Sequence, residues 1–490
     1  MITVILIGHK FQYEIEHLLK AFYPQEEFQF IFTHRVKPSL SLENSKVYIY
    51  SVWEGKRFYG EIHVNRKVYQ KEYQEDLMDM EEIPRRKKAK RLLKRVLYEA
   101  MVLYQKRPLP WGILTGIRPT KIVHELLEHE YSDEKISTIL SKQYHIQPDK
   151  ISLLKQVAKK EKKILDQNKP REISIYIGIP FCPTRCIYCS FTSYPIEKWK
   201  DYVDTYIRSL MKEIEAFQYI YKNYPIKSLY IGGGTPTSLS STQLEILLEA
   251  LKQCLPMHQI EEFTIEAGRP DTITMKKLEV MKTYHVDRIS INPQTMNNET
   301  LRRIGRNHKV EDIYKTFEMA KKIGFHSINM DLIVGLPGEN IDHVKYTWDQ
   351  LATLQPDNIT VHTMAIKRAS QLYKNQKKYD GLTQEEIEKI LLFTQEQTCK
   401  MGLEPYYLYR QKNTVGNFEN VGYCIPGKEG IYNIEIIEEK QTILAFGAGS
   451  ATKIVDPNTN HIQRIANVKD VNHYIQRVDE MIQRKKEWFN

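Results

Sequence analysis

The sequence predicts an α/β protein whose central part is a partial (β/α)6 barrel. Two observations predict this fold. Short apolar runs alternate with longer helical segments from residue 172 onward, and glycine-rich or polar motifs follow the ends of the apolar runs. The flanking regions predict an α+β domain before the barrel and a small covering domain after it. The predicted domains are therefore 1–165, 170–385 and 386–490, with a linker at 166–171.

Six strand and helix pairs carry the barrel prediction. The predicted strands are Ile173–Ile179, Ser228–Ile231, Glu262–Ala267, Arg288–Ile291, Ser327–Val334 and Asn358–Val361. The predicted helices are 199–223, 241–254, 273–283, 298–304, 310–323 and 340–354. Parallel strands joined by right-handed crossover helices close naturally into a barrel. The active site of such a barrel lies at the carboxyl ends of its strands.

The N-terminal region predicts short strands separated by turns as far as about residue 72, followed by a basic helix from 83 to 106. A turn-rich segment spans 108–121, and helices return from 120 to 166. The basic run 85–95 could bind nucleic acid or an acidic membrane surface. Apolar residues at helical spacing, and the lack of interleaved aromatic residues, favour instead the solvated face of an amphipathic helix. Nucleic-acid binding is therefore not expected.

Composition indicates a folded protein of the cytoplasm. The chain has 490 residues, of which 41% are hydrophobic and 27% charged. No apolar run approaches the length of a membrane span, and the first residues lack the features of a signal peptide. Six cysteines in this length do not suggest a secreted disulfide scaffold. The net charge of +10 is compatible with an anionic substrate.

Three cysteines on one short loop give the strongest chemical signal. Cys182, Cys186 and Cys189 have the spacing C-x3-C-x2-C directly after the first barrel strand. Three thiolates can hold three corners of a cubane iron–sulfur cluster and leave one iron open to a small molecule. Buried thiols or three ligands of a zinc site are the alternatives. The remaining cysteines are isolated and no histidine is close in sequence, so the spacing favours the open cluster.

Polar residues follow several of the other predicted strands. Gly233, Gly234 and Thr235 end the second strand, and Glu266 ends the third. Further along the chain come Gln294, Arg306 and Asp331. Singly, the glycine loop is explained equally well as a tight turn, and each polar side chain as a cap or ion-pair member. Together they predict one ligand-binding mouth, because the ends of parallel strands lie at the same edge.

These motifs resemble a known family. The carrying features are Tyr176-Ile-Gly-Ile-Pro-Phe-Cys182 with the cysteine loop, Ile231-Gly-Gly-Gly-Thr-Pro236, Gly305-Arg-Asn-His308, Asn329-Met-Asp-Leu-Ile-Val-Gly-Leu-Pro337 and Gly447-Ala-Gly449. In this order they resemble radical S-adenosylmethionine enzymes of the oxygen-independent coproporphyrinogen III oxidase family, over residues of about 172–455. The chain as a whole, with its extra N-terminal domain, is similar to the HemZ-type coproporphyrinogen dehydrogenase branch.

The resemblance implies the cofactors and the residues that bind them. Cys182, Cys186 and Cys189 would bind a [4Fe–4S] cluster whose open iron S-adenosylmethionine chelates. The residues implied around S-adenosylmethionine are Tyr176, Gly233, Gly234, Thr235, Glu266, Gln294, Arg306, Asp331 and Ala365. Tyr176 is expected at the start of the first strand, Asp331 near the ribose hydroxyls, and Ala365 near the adenine through its backbone. Residues 386–490 would form a coproporphyrinogen-oxidase-like domain.

The reaction implied is the oxidative decarboxylation of two propionates of coproporphyrinogen III to vinyl groups, which gives protoporphyrinogen IX. An electron donor such as flavodoxin or ferredoxin would reduce the cluster. Candidate cations for the substrate carboxylates are Lys367, Arg368, Arg410 and Lys412. Phe191 stands where established oxidases of the family carry a further cysteine. Two alternatives therefore stay open: another radical reaction on a tetrapyrrole, such as methyl transfer or anaerobic haem ring opening, and a haem chaperone without oxidase activity.

Overall fold

The computed structural model describes residues 1–33, 47–116, 118–367, 369–374, 381–411, 414, 417–457 and 459–489. The chain divides into two compact units, Met1–Lys155 and Gln156–Asn490. This division falls inside a helix, Pro148–Leu165, whereas residues 166–171 connect that helix to the first strand of the second unit. The three predicted domains and their boundaries stay predictions. No helix within the described ranges is long and apolar enough to cross a membrane.

The first unit is built on a five-stranded sheet. Its strands are β1 (Ile2–Ile7), β2 (Phe28–Thr33), β3 (Val47–Glu54), β4 (Arg57–Val64) and β5 (Lys67–Gln74), in the order β2-β1-β3-β4-β5. β1 pairs parallel with β2 and β3, and β3, β4 and β5 form an antiparallel meander. The predicted α+β character of the N-terminal region is confirmed.

Five helices complete the described part of this unit: α1 (Gln12–Phe22), α2 (Glu82–Gln105), α3 (Thr120–Glu128), α4 (Asp133–Tyr144) and the start of α5 (Pro148–Leu165). The prediction of strands and turns alone before residue 72 is wrong for α1. Ile15, Leu18, Leu19 and Phe22 recur at helical spacing in α1 and are buried. This apolar stripe packs in the same core as α2 and one face of the sheet.

The basic helix α2 is held by partners of its own unit. Lys87 pairs with Glu125 at 3.0 Å, and Lys88 and Lys90 form ion pairs with Glu75 and Glu14. Arg95 donates to the hydroxyl of Tyr73 at 3.0 Å. The opposite stripe, which includes Leu93, Val96 and Leu97, is fully buried. These contacts agree with the amphipathic-helix interpretation, and the absence of nucleic-acid binding stays a prediction.

The second unit contains an eleven-stranded sheet. Its strands are β6 (Ile173–Ile179), β9 (Ile226–Gly233), β10 (Glu262–Glu266), β11 (Arg288–Ser290), β12 (Ser327–Val334), β13 (Asn358–Thr363), β14 (Glu404–Arg410), β15 (Glu419–Cys424), β16 (Thr442–Phe446), β17 (Ala451–Val455) and β18 (Ile462–Ala466), and the short pair β7 (Phe181–Cys182) and β8 (Tyr194–Pro195) lies beside it. The order is β14-β15-β13-β12-β11-β10-β9-β6-β16-β17-β18.

The six predicted barrel strands are adjacent and parallel. β6, β9, β10, β11, β12 and β13 follow one another in the sheet, so each crossover moves the chain one strand further. The described helices are α6 (Ile196–Glu215), α7 (Ser241–Cys254), α8 (Met275–Thr283), α9 (Asn298–Arg303), α10 (Val310–Ile323), α11 (Ile341–Leu354), α12 (Gln371–Lys374), α13 (Gln384–Lys400), α14 (Ile431–Glu438), α15 (Val471–Gln476) and α16 (Val478–Phe489). The predicted partial (β/α)6 barrel is confirmed.

The C-terminal region extends the sheet at both edges. β15 adds antiparallel to β13, with β14 outside it, whereas β16 adds parallel to β6 and continues into β17 and β18. A buried network fastens the second edge, because Glu213 of α6 accepts bonds from Lys485 at 2.6 Å and Tyr474 at 2.6 Å. The same carboxylate accepts the backbone N–H of Gly447 at 2.9 Å.

The register of the sheet separates an apolar face from a polar one. Ile177, Ile231, Ile265, Ile289 and Ile328 pair across β6, β9, β10, β11 and β12, and all are buried. Because side chains alternate along a strand, the neighbouring row points to the opposite face. That row contains Gly178 paired with Gly232, and Glu266 paired with Ser290. The candidate site is built on this second face.

Candidate functional site

The three cysteines lie together at the carboxyl end of β6. Cys182 ends the short strand β7, Cys186 is buried, and the Cys189 N–H donates to the Cys186 carbonyl at 3.1 Å. Burial raises the pKa of the Cys182 thiol to about 11, although a hydrogen bond with Thr235 opposes this, and the nearby Cys189 and Cys186 raise it further. Burial likewise raises the pKa of Cys189. The thiols are therefore close enough to influence one another, with Cys186 buried and Cys182 and Cys189 partly buried.

The glycine-rich loop after β9 fastens this cysteine loop. The Gly234 N–H donates to the Ile179 carbonyl at 2.8 Å, and the Thr235 N–H donates to the Phe181 carbonyl at 2.7 Å. The Thr235 hydroxyl lies 3.4 Å from the Cys182 sulfur. A Cβ at Gly234 would stand 2.6 Å from the Phe181 oxygen, so only glycine permits this approach. The glycine-rich segment therefore forms a tight turn and, in addition, holds the cysteine loop in place.

Two further segments hold the far side of the cysteine loop. The Ile187 N–H donates to the Ile304 carbonyl at 3.1 Å, and the Thr184 hydroxyl donates to the Gly305 carbonyl at 2.8 Å. The Leu372 N–H donates to the Ile187 carbonyl at 2.9 Å. Hydrogen bonds from segments distant in sequence therefore fix the cysteine loop, independently of any bound cluster.

Glu266 lies at the last position of β10 against a group of tyrosines. The Tyr230 hydroxyl donates to Glu266 at 2.6 Å, and the Tyr230 ring stacks on Tyr432 with centroids 4.3 Å apart. Tyr176 stacks on both rings at 6.2 Å. Burial raises the pKa of Glu266 to about 7; the Tyr230 hydrogen bond opposes this shift and nearby Asp331 adds to it. Glu266 can therefore accept a proton or a charged ligand group near neutral pH.

Asp331 forms the second acidic group of the polar face. The Asn329 amide donates to Asp331 at 2.8 Å, and His362 Nε2 lies 3.6 Å from the other carboxylate oxygen. His362 Nδ1 in turn meets the Tyr409 hydroxyl at 3.1 Å. Burial alone would raise the pKa of Asp331, but the bonds from His362 and Asn329 outweigh it and hold the pKa below its usual range. Asp331 is 23% exposed and His362 25%, so both are open to a ligand.

Gln294 and Ala365 approach the same mouth through their backbones. Gln294 has φ of 67°, in the left-handed region, and its N–H donates to the Asp331 carbonyl at 2.9 Å. Its carbonyl accepts the Ile333 N–H at 3.0 Å, which pins the turn beside β12. Ala365 follows β13 and forms an isolated bridge with Thr414. The prediction that these residues follow strands agrees with these positions.

Arg306 is buried beneath the cysteine loop. Its Nη1 donates to the Asn292 carbonyl and, at 3.5 Å, to the Gly268 carbonyl. Burial alone would lower its pKa, but the neighbouring Tyr188 and Cys186 hold the pKa above its usual value. Its Nε has no hydrogen-bond partner among the described residues. Arg306 thus joins the cysteine loop to the polar face and keeps one donor available.

The residues present fit the two implied cofactors. Three thiols on one fixed loop supply three ligands for iron, and a fourth cysteine does not share that loop. Beside them are donors and acceptors that nothing within the described ranges satisfies: Arg306 Nε, Thr264 Oγ1 and Ser290 Oγ. Buried polar atoms are normally paired, so unpaired ones on one face indicate a missing ligand. Glu266 and Asp331 suit the ammonium and hydroxyl groups of S-adenosylmethionine.

Two of the four candidate cations for the substrate, Lys367 and Arg410, lie within the described residues. Arg410 is buried and donates from Nε and Nη2 to the Asn417 carbonyl at 3.2 and 2.6 Å, and burial lowers its pKa to about 10. The backbone carbonyl of Lys367 accepts from Ser370 at 2.9 and 2.7 Å, which forms a turn after Ala365. Arg368 and Lys412 lie outside the described residues. Substrate binding by these four residues stays a prediction.

One positional expectation is wrong. Tyr176 lies in the middle of β6 rather than at its start. Asp331 lies inside β12, within the strand run in which the sequence placed it. Both still reach the mouth because they share the polar face with Glu266. Sequence reasoning assigned no role to Tyr188, Arg269 or His362, which contact the cysteine loop or Asp331. The sequence did contain a signal for His362. It is a polar residue two positions after Thr360 in β13, so both side chains lie on the same face of the strand.

Comparison with known proteins places this geometry in a family. The Radical SAM superfamily model matches residues 176–351. The chain is 43% identical over 380 residues to the oxygen-independent coproporphyrinogen-III oxidase-like protein HemZ of Bacillus subtilis, which covers 76% of each chain. It is 32% identical over 308 residues to the heme chaperone HemW of the same organism, covering 63% of this chain and 76% of that protein.

A solved structure shows the same fold. The coproporphyrinogen III oxidase HemN from Escherichia coli, a radical SAM enzyme, superposes with a TM-score of 0.52 at 24% identity, over 66% of this chain and 73% of that one. The cofactors of the superfamily, a [4Fe–4S] cluster and S-adenosylmethionine, are therefore the cofactors of this chain. The chain belongs to the radical SAM superfamily and, within it, to the family of the oxygen-independent coproporphyrinogen-III oxidase-like proteins.

Proposed function

We propose that this protein is an oxygen-independent coproporphyrinogen III oxidase, an oxidoreductase of haem biosynthesis in the cytoplasm. It would convert two propionates of coproporphyrinogen III to vinyl groups and release two molecules of carbon dioxide. One observation carries the proposal: three thiols, an uncommitted arginine donor and two acids converge at one mouth of the barrel. The relative HemZ supports the choice of substrate.

The residues of the mouth would divide the work of binding. Cys182, Cys186 and Cys189 would hold the cluster, and the backbone bonds of Gly234 and Thr235 would keep the loop in place. Glu266 would accept the ammonium group of S-adenosylmethionine. Asp331, oriented by His362, would accept its ribose hydroxyls. When bound and reduced, the two cofactors supply one-electron chemistry that removes a hydrogen atom from an unactivated carbon.

The protein would control the substrate by position and by excluding water. The hydrogen atom removed would be on the carbon next to the ring. The resulting carbon radical would then release carbon dioxide and pass one electron to an external one-electron acceptor, which leaves the vinyl group. Lys367, Arg368 and Lys412 remain the proposed partners of the propionates that are not reacting. Arg410 is a weaker candidate because its guanidinium is bound to the Asn417 carbonyl. An acidic one-electron carrier such as flavodoxin or ferredoxin would reduce the cluster.

A haem chaperone is the second candidate, and one observation favours it. Phe191, two residues after Cys189, is 70% exposed, so an aromatic face stands free beside the cysteine loop. Such a face could stack on a porphyrin. The HemW proteins are relatives with the chaperone name. Another radical reaction on a tetrapyrrole is the third candidate, and it shares the cofactor site with the first.

One experiment separates these candidates. Reconstituted protein is incubated anaerobically with dithionite, S-adenosylmethionine and coproporphyrinogen III, and the products are separated by liquid chromatography. We expect 5′-deoxyadenosine together with a tetrapyrrole that has lost two carboxyl groups. Deoxyadenosine without decarboxylation contradicts the substrate and retains the class of reaction. Tight haem binding with negligible formation of deoxyadenosine favours the chaperone.

Paired cysteine variants test the ligands. C186A should lose the brown absorbance of the cluster, whereas C399A should keep it, because Cys399 is exposed on α13. Retained iron and continued cleavage of S-adenosylmethionine in C186A would overturn the ligand assignment.

A further inference from the structure

Arg269 is a buried cation that points at one cysteine of the loop. It is 3% exposed and follows Glu266 by three residues, outside any helix longer than a single turn. Its Nη1 lies 3.7 Å from the Cys186 sulfur, 3.1 Å from the Thr184 hydroxyl and 3.4 Å from the Thr184 carbonyl. One guanidinium nitrogen therefore contacts both Thr184 and the Cys186 thiol of the cysteine loop.

The other edge of the guanidinium is fixed by a carboxylate. Nε and Nη2 of Arg269 donate to the two oxygens of Asp271 at 2.9 and 2.8 Å, which is a bidentate pair. This pairing leaves Nη1 no freedom to turn away from Cys186. Asp271 accepts these bonds as a carboxylate, since the hydrogen bonds and charge of Arg269 outweigh its burial and hold its pKa below its usual range.

The imidazole packed behind this pair adds no competing charge. His308 is buried, and its Nδ1 lies 3.8 Å from Asp271. Burial, together with the charges of Arg306 and Arg269, lowers the pKa of His308 to about 3, although Asp271 opposes the shift. Of the described side chains that contact Cys186, Arg269 and Arg306 carry positive charge. Cys186 is thus the cysteine most directly faced by cations.

We propose that Arg269, fixed by Asp271, is a positioning residue that donates a charge-assisted hydrogen bond to the Cys186 thiolate and raises the reduction potential of the cluster. The proposal rests on the ligand assignment made above. Hydrogen bonds to ligand sulfurs and nearby positive charge are among the factors that set cluster potentials. Arg269 exchanges neither an electron nor a proton. It stabilises the additional negative charge that one electron from an external donor adds to the cluster.

The test measures the midpoint potential of the reconstituted protein, titrated with dithionite and redox mediators and followed by the EPR signal of the reduced state. R269Q removes the charge, and R269K keeps a charge on a side chain that cannot span both Asp271 and Cys186. The matched control is R288Q. Arg288 is also buried and ion-paired, 3.3 Å from Glu262, but it lies at the opposite end of the strands.

We expect the midpoint potential to shift to lower values in R269Q, with an altered EPR line shape, and to shift less in R269K. R288Q should keep the wild-type potential. If R269Q does not retain iron, R269K decides, and a wild-type potential in R269K overturns the proposal. An unchanged potential in iron-loaded R269Q overturns this proposal alone. Wild-type protein that binds no cluster would overturn the ligand assignment as well.

Discussion

The contact between the glycine-rich loop and the cysteine loop gives the sharpest prediction. In G234A, the added Cβ would stand 2.6 Å from the Phe181 oxygen and 3.0 Å from the Ile179 oxygen. Both are backbone atoms of the segment that leads into Cys182, from the end of β6 to the start of β7, so neither can turn aside. The two loops must separate by roughly 0.5–1 Å to reach an ordinary contact distance.

The cost can be estimated from the bonds that this separation breaks. The bonds from Gly234 to Ile179 and from Thr235 to Phe181, at 2.8 and 2.7 Å, would lengthen. Each contributes about 1 kcal/mol, and the overlap adds about 1–3 kcal/mol. We expect the free energy of unfolding of the apoprotein to fall by about 3–5 kcal/mol. The Thr235 hydroxyl would also withdraw from Cys182, so iron retention should fall.

The assay combines urea unfolding, followed by tryptophan fluorescence, with iron and sulfide analysis after anaerobic reconstitution. G178A is the matched control, because a Cβ at Gly178 meets its nearest atom at 3.4 Å, an ordinary contact. Gly178 lies in β6, next to the same loop. Equal stability and equal iron content in G234A and G178A would refute the reasoning.

Three further predictions concern the acids of the second unit. H362F removes the partner that orients Asp331 and should weaken S-adenosylmethionine binding roughly tenfold by calorimetry; an unchanged affinity contradicts this role. The pKa of Glu266 is about 7 in the folded protein, compared with an ordinary value of 4.5 that applies to the unfolded chain. Between pH 4.5 and 7 the unfolded chain releases a proton that the folded protein keeps, so the free energy of unfolding falls as the pH rises through this range. E266Q apoprotein should therefore be more stable than wild type by about 3 kcal/mol above pH 7, with the gap closing toward pH 4.5; a gap independent of pH would contradict the shift. K485M leaves Glu213 buried without its cation, both side chains being 0% exposed, and should lower the free energy of unfolding by about 3–5 kcal/mol. E213Q/K485M should recover part of that loss, and equal losses in the single and double variants would show that the charge is not the cause.

The strands and helices of the barrel were predictable because their signal is local. Strand β12 has the predicted bounds Ser327–Val334, and helix α10 has the predicted bounds 310–323. Each contains an apolar pattern of a single period that ends at a glycine or a polar turn. Helix α1 was not predicted because it is a short amphipathic segment among strand-like runs. Its apolar stripe is buried by packing in one core with the sheet and α2, which are distant in sequence.

The cysteine loop was readable for a different reason. Its chemistry depends on spacing along one segment of eight residues, so no tertiary information is required to see three thiols together. The identity of the cofactors came from the resemblance to a known family that this loop and the motifs after it carry. Arg269 lies in the same short sequence segment as Glu266. Its role depends on contacts with Thr184 and Cys186, which lie more than 80 positions earlier in the chain.

By itself the sequence determined the partial barrel, the three cysteines and the family, because periodicity, spacing and motif order are properties of short segments. The tertiary structure alone decided which side chains face one another. It turned the Arg410 guanidinium to the Asn417 carbonyl, set His362 beside Asp331 and directed Arg269 at Cys186. The physical reason is that the side chain alternation of a strand is local, whereas the register between strands and the burial of a charge are fixed only when the sheet forms.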